Sequence, residues 1–227
     1  MEPVGIFKSS FPDKFGIPRQ SGLSKIPGTV ELGEDPQFIE AVKELETFTH
    51  IWLIYKFHEI PEGKWKGRIR PPRLGGNQSV GVFASRSPFR PNPIGLSAVE
   101  LAGVRKKSGK IYIDVFGADI VNNTPILDIK PYIPYADCIT EAGYGWLEGH
   151  SIPDIPVEFS SAAKETIKNS RIKKLKSYII DILAQDPRPA YKKENDQKVY
   201  SLRLFDYEIK FKVQTCCQVL SIEKFER

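Results

Sequence analysis

The run Arg86-Ser87-Pro88-Phe89-Arg90-Pro91-Asn92-Pro93-Ile94-Gly95-Leu96-Ser97 places two arginines and an asparagine on backbone stiffened by three prolines. Each proline fixes its own φ at about −65° and turns the residue before it away from the helical region. The segment therefore belongs neither to a helix interior nor to a central strand, and is expected to form a rigid loop. Such a loop holds guanidinium groups in place before a ligand arrives, which lowers the entropy lost on binding, and arginine suits carboxylate and phosphate oxygens. A purely structural proline-rich turn with solvated arginines has the same composition. A second polar segment, residues 122–137, again mixes prolines with charged and aromatic groups after a run of strand character.

The rest of the first 140 residues is organised around short strands. Asp35-Pro36 followed by Phe38, Ile39, Val42 and Leu45 predicts a short amphipathic helix with aspartate at the N-cap and proline at the first helical position. Strands are expected over 51–57, 80–84, 96–101, 111–116 and 126–129, from apolar runs rich in β-branched and aromatic residues. Frequent Gly, Pro and Asn breaks, with no alternating full-length helices between the strands, favour a barrel or sandwich over a doubly wound parallel sheet. From Ser160 the period changes: Ile172, Leu175, Ile179, Ile182 and Leu183 predict one long helix that stops at Asp186-Pro187, followed by strands over 199–205, 207–213 and 218–222. The expected fold class is mainly β, an N-terminal β-barrel domain over 1–158 followed by a small α+β domain over 159–227, with 151–156 as the linker.

Charge follows the same division. The chain carries 33 Lys+Arg and 28 Asp+Glu, and from Ser160 onward the counts are 15 and 9, so the whole positive excess is C-terminal. Phosphate neutralisation needs such an asymmetry, and a solvated basic helix face produces it too. Hydrophobic residues make up 41% of the chain, which suffices for a core, and no apolar run approaches the ~20 residues of a membrane span. The N-terminus has no basic start followed by an apolar stretch, so a cytoplasmic protein without a membrane partner is expected. Cys138, Cys216 and Cys217 form neither a disulfide framework nor a metal spacing, and the last two are expected to point to opposite faces of one strand.

Several common chemistries lack their signatures. Residues 143–149 approach a dinucleotide-binding glycine pattern, but the last glycine is one position late and no strand precedes it, so a loop is expected there. His50, His58 and His150 have no helical ligand spacing and no cysteine partners, and no metal is expected. Neither Ser87 nor Ser97 lies in a Gly-x-Ser-x-Gly elbow. What remains is a set of arginines, carboxylates and aromatic faces on stiffened loops, a composition that suits a polar, charged ligand.

The two proline-rich segments, together with Phe15-Gly16-Ile17-Pro18-Arg19-Gln20, Phe57-His58-Glu59, Leu127-Asp128-Ile129-Lys130-Pro131-Tyr132 and Asp186-Pro187-Arg188-Pro189-Ala190-Tyr191, resemble the tRNA N6-threonylcarbamoyladenosine methyltransferase family. These are S-adenosylmethionine enzymes built on a β-barrel, and the resemblance spans nearly the whole chain. It implies transfer of a methyl group to N6 of a threonylcarbamoylated adenosine beside the anticodon, position 37 of tRNA. It also implies a cofactor site drawing on Pro18, Arg19, Gln20, His58, Glu59, Arg86, Leu96, Leu127, Asp128, Ile129 and Lys130, and a homodimer with that site near the subunit interface. Leu96 and Ile129 also fit the core, and Asp128 and Lys130 also fit a pair with each other. Tyr132, Tyr135 and Asp137 are candidates for a base acting on N6. Arg90 and Lys130 are candidates for gripping the threonylcarbamoyl carboxylate; Arg90, Arg188 and Tyr191 are candidates for RNA contacts, with Lys173, Lys174 and Lys176 adding charge. A non-catalytic RNA-binding barrel, or a methyltransferase of the same fold with another substrate, stays open on the residues alone.

Overall fold

The computed structural model describes residues 1–61, 63–74, 78–188 and 197–225. Six antiparallel strands close into a barrel: β1 (Gly5–Ser9), β2 (Pro27–Leu32), β3 (His50–Lys56), β6 (Ile94–Lys107), β7 (Lys110–Phe116) and β8 (Thr124–Pro131), in the order β1-β2-β7-β6-β3-β8. Alternation decides which side chains go inside, as expected for strands with one buried face. Ile111, Ile113 and Val115 of β7 are buried with Ile51, Leu53 and Tyr55 of β3, while the residues between them face outward. The 14-residue β6 is long enough to pair with both β3 and β7, and it shifts register between Leu101 and Gly103, where a bulge bends it around the barrel.

The strands over 51–57, 96–101, 111–116 and 126–129 lie where the sequence puts them. The expected strand over 80–84 is only a two-residue pairing, β5 (Val80–Gly81) with β4 (Arg68–Ile69), and then a 3₁₀ turn over Val82–Ala84. The helix near Asp35 is short, as expected, but it begins at Phe38 with Gln37 at the N-cap position, so Asp35 and Pro36 form the turn ahead of it. Asp35 accepts the Gln37 amide at 2.8 Å, α1 covers Phe38–Ala41, and the left-handed Glu44 (φ 62°) ends the helical path before Leu45.

A second sheet, in the order β10-β11-β12-β9, is made from β10 (Tyr200–Leu204), β11 (Tyr207–Val213), β12 (Cys217–Lys224) and β9 (Val157–Phe159), the last parallel to β12. Val157 and Glu158 thus pair with the second sheet, not the barrel. The single long helix expected here is two: α3 (Ser161–Asn169) and α4 (Leu175–Leu183). Ser170 breaks it. Its backbone is extended, and its hydroxyl oxygen accepts the Ile172 amide at 3.1 Å and the Tyr207 hydroxyl at 3.0 Å, a local alternative to helical bonding. Cys217 is buried in β12 and Cys216, just before that strand, is half-buried; both are unpaired thiols.

The two sheets are not packed as separate beads. Phe11 and Ile26, from the segment joining β1 to β2, are buried in the second core among Ile182, Leu202 and Phe211. Phe15 of the same segment stacks on Tyr200 and Phe211, with ring centroids 6.2 and 6.4 Å away. The segment that carries Pro18, Arg19 and Gln20 is therefore held between the barrel and the C-terminal unit.

Candidate active site

The proline-stiffened run is a series of tight turns. The Arg90 amide donates to the Pro88 carbonyl at 2.8 Å and the Ile94 amide to the Asn92 carbonyl at 2.8 Å. Its two arginines do different work. Arg90 turns back on its own loop, donating to the carbonyls of Val82 (3.1 Å) and Ser85 (2.8 Å), and so braces the turn. Arg86 reaches across to the other proline-bearing segment and donates to Gln20 Oε1 at 2.5 Å.

Arg86, Gln20 and Arg19 line a cavity of about 1440 Å³. Lys66, Arg68 and Arg70 from the β4 region also line it, and no described lining residue is acidic. Arg68 is fixed by donating to the hydroxyl and carbonyl oxygens of Ser79, both at 2.9 Å. Aromatic faces come from Phe83, Phe89, Tyr144 and Trp146. The loop over 143–149 is a 3₁₀ turn at Gly145–Leu147, and Trp146 anchors it by donating its indole N–H to the Ala84 carbonyl. Arg19 is steadied from the C-terminal unit, donating to the Arg188 carbonyl at 3.3 Å.

Arg86 also faces a polar cluster at the barrel interior. Ser97, 2% exposed on β6, donates to Asp119 Oδ1 at 2.6 Å and lies 3.2 Å from the Tyr55 hydroxyl. Burial pushes the Asp119 carboxyl above the usual aspartate range, against the opposing pull of the Ser97 hydrogen bond and the Arg86 charge. Burial beside Asp119 likewise pushes the Tyr55 phenol up, so it is a neutral hydrogen-bonding group. Tyr55 fits because its partner in the register is glycine: a Cβ on Gly95 would lie 2.3 Å from the Tyr55 ring.

Of the remaining expected cofactor residues, Leu96, Asp128 and Lys130 stand on the outer face of the barrel. Ile54 of β3 pairs with Leu96 on one side and Asp128 on the other, forming one row across three strands. Leu96 is 55% exposed. Asp128 accepts its neighbour's amide at Ile129 (2.9 Å) and pairs with Lys130 at 3.5 Å, and both charges are half-exposed. Leu127 is half-buried and Ile129 packs against the barrel core. His58 and Glu59 are exposed just beyond the end of β3, with Glu59 2.7 Å from Lys14. Pro18 is buried beside Arg19. A single chain thus places Arg19, Gln20 and Arg86 at the cavity and Leu96, Asp128 and Lys130 on the barrel's outer face.

The proposed bases sit near the outer face. Tyr132 packs against Trp52 at 5.5 Å between centroids, and partial burial raises its phenol, which disfavours the phenolate a base would need. Tyr135 is 91% exposed in the short α2 (Pro134–Asp137), and Asp137 accepts the Ile133 amide at 2.7 Å. Arg188 is 4% exposed and grips Asp186 through Nε (2.9 Å) and Nη2 (3.1 Å) while Nη1 donates to the Val213 carbonyl. Its guanidinium is a buried strut and presents nothing to a phosphate. Tyr191 lies outside the described residues. Lys173, Lys174 and Lys176 are exposed, the first two on the link between α3 and α4.

Sequence reasoning missed Asp119, Ser97 and Tyr55 as a cluster, and Lys66, Arg68, Arg70 and Trp146 as cavity lining. The basic stretch Lys66-Gly67-Arg68-Ile69-Arg70 ahead of Pro71-Pro72 carried a signal of the same kind as the 86–97 run. Asp119 carried none.

Fold and cavity together define a β-barrel protein with an α+β appendage, equipped to hold anionic ligands in a cationic cavity lined by Arg19, Gln20 and the segments around Arg68, Arg86 and Trp146. The model of the tRNA-methyltransferase O N-terminal domain matches residues 6–138, and that of the TrmO C-terminal domain matches residues 152–225. The tRNA (adenine(37)-N6)-methyltransferase of Escherichia coli K12 is 39% identical over 216 residues, covering 93% of this chain and 92% of that one. A Pseudomonas aeruginosa protein named putative S-adenosylmethionine-dependent methyltransferase RcsF is 41% identical over 213 residues, 92% of this chain and 90% of its own. The crystal structure of TrmO from the same species superposes with a TM-score of 0.77 at 34% identity, covering 99% of this chain and 96% of that one. The chain belongs to the tRNA-methyltransferase O family.

Proposed function

We propose that this protein transfers a methyl group from S-adenosylmethionine to N6 of the threonylcarbamoylated adenosine at position 37 of tRNA. It is a tRNA methyltransferase by family, and the threonylcarbamoyl substrate is the finer part of this reading. The observation that carries it is the cavity: cationic, aromatic-faced, and larger than the roughly 300–1,000 Å³ that one small ligand occupies. It has room for a cofactor beside a nucleoside.

The donor set fits the cofactor. Arg86, already held by Gln20, and Arg19, held from Arg188, suit its carboxylate, and the faces of Phe83, Tyr144 and Trp146 suit its cationic sulfur. When bound, S-adenosylmethionine supplies an electrophilic methyl group on a sulfonium. The chain's own task is alignment, because an in-line displacement at such a carbon draws much of its rate from positioning and needs no nucleophilic side chain. Arg68, locked on Ser79, and Arg70 offer fixed positive charge to the threonylcarbamoyl carboxylate or to phosphate.

The outer-face group of Leu96, Asp128 and Lys130 joins the cavity group if a second copy brings its barrel wall against this one, so a homodimer is part of the proposal. Exposed Leu96 and the half-exposed Asp128–Lys130 pair provide an apolar surface with a charged rim. Calorimetric titration of S-adenosylmethionine tests the site: Arg86→Ala and Asp128→Ala each weaken binding by about 1–3 kcal/mol, the scale of a charged hydrogen bond. Unchanged affinity in both folded variants removes these residues from it. Sedimentation equilibrium reads the dimer directly.

A further inference from the structure

The turn after β7 is stitched to the segment that carries Arg19 and Gln20. The Gly22 amide donates to the Gly117 carbonyl at 2.9 Å, and the Gly117 amide to the Ile26 carbonyl at 3.1 Å. Gly117 has φ +80°, and a Cβ there would lie 3.0 Å from the Ser24 carbonyl oxygen, so the close approach depends on glycine. Asp119 stands two residues further on. Its carboxylate accepts the Ser97 hydroxyl at 2.6 Å, with the Ser21 amide and the Arg86 charge in its electrostatic surroundings, and Ser97 in turn meets Tyr55. The turn that carries this carboxylate is therefore bonded to the loop over 20–26, while the carboxylate itself is bonded to Ser97 of β6 and, through Ser97, meets β3.

These contacts close a circuit. Ser21 follows Gln20, Gln20 accepts from Arg86, and the Arg86 charge faces Asp119. Even half-buried, an aspartate carries a desolvation cost that a neutral side chain of similar shape avoids. Such a cost is characteristic of groups that position others at a functional site.

We infer that Asp119 is a positioning residue for the cofactor cavity: anchored on Ser97 and standing on the turn bonded to Gly22 and Ile26, it helps fix the Gln20 loop, and with it the Arg86 guanidinium, in the arrangement that receives the cofactor. The inference rests on the reading of this cavity as the S-adenosylmethionine site. Asp119 touches neither cofactor nor reacting atoms and acts through its neighbours. Its effect therefore shows in ligand affinity and in coupling to Arg86, not in the integrity of the barrel.

The experiment is calorimetric titration of the full chain, without tRNA, with S-adenosylmethionine, on the wild type, Asp119→Asn, Arg86→Ala and the double variant. Asp119→Asn is expected to weaken binding about tenfold, the double variant to fall short of the two single losses combined, and the melting midpoint of Asp119→Asn to stay at or above the wild-type value. Ser97→Ala, which leaves the carboxylate in place, is expected to show a smaller loss of affinity. Losses that add, wild-type affinity in Asp119→Asn, or an Asp119→Asn chain that fails to fold each overturn the positioning role. Wild-type affinity in Arg86→Ala contradicts the reading of the cavity itself.

Discussion

The indole N–H of Trp146 donates to the carbonyl of Ala84 at 2.7 Å, joining two segments 62 residues apart that both line the arginine-rich cavity. One segment lies beside the proline-stiffened loop, and the other is the turn that follows the barrel. The bond makes the second segment part of the site.

Trp146→Phe keeps an aromatic face and removes this donor, leaving the Ala84 carbonyl without its indole partner. The expected loss is about 1 kcal/mol in S-adenosylmethionine affinity, the scale of one neutral hydrogen bond. Titration calorimetry on the variant measures it, and a wild-type dissociation constant means that the turn does not shape the site.

Arg188 is buried and paired, whereas Lys173, Lys174 and Lys176 are exposed, so the two sets of charge make different predictions. Arg188→Ala strands the buried Asp186 carboxylate, and unfolding by denaturant is expected to show about 3–5 kcal/mol less stability. Replacing Lys173, Lys174 and Lys176 with Gln leaves stability nearly unchanged and reduces the slope of log affinity for tRNA against log salt. A filter-binding salt series reads the second effect. Deleting residues 160–227 is a poorer test, because Phe11 and Ile26 lose the core that buries them.

Asp119 makes a pH prediction with a definite sign. Burial raises its folded-state pKa above the unfolded value of about 3.9. Between those two values the native protein holds more protons than the unfolded chain, so this group's contribution to stability falls as pH rises through the window and stays level above it. Asp119→Asn lacks that decline. The melting midpoint of the variant minus that of the wild type is therefore expected to grow more positive from about pH 4 toward neutrality. A difference independent of pH contradicts the direction of the shift.

Apolar runs made four of the six barrel strands legible, while β1 and β2 went unread, and in the second sheet β11 coincides with its expected span. The long helix failed because hydrophobic period alone does not register Ser170, whose hydroxyl takes the amide of residue 172. The site was legible where composition is unusual, in the prolines and arginines of 86–97, but the same composition gave no sign that Arg90 braces its loop while Arg86 lines a cavity. Arg188 looked like a phosphate contact because its carboxylate partner, two residues away at Asp186, also fits a turn in solvent. Asp119 was invisible, since its neighbours Ser21 and Ser97 lie far apart in sequence and only barrel closure brings them together.

The most direct test of the account is methyl incorporation from labelled S-adenosylmethionine into two RNAs of one sequence, a tRNA whose position-37 adenosine carries the threonylcarbamoyl group and its unmodified transcript. An unmodified exocyclic amine offers the cationic cavity nothing to grip, whereas the modification adds a carboxylate and a urea, and binding at such remote groups can align N6 with the methyl carbon. Label is expected only in the modified RNA, and nucleoside mass analysis is expected to place it on that adenosine. Equal labelling of the two RNAs, or label at another site, contradicts the assignment even where S-adenosylmethionine binding is intact.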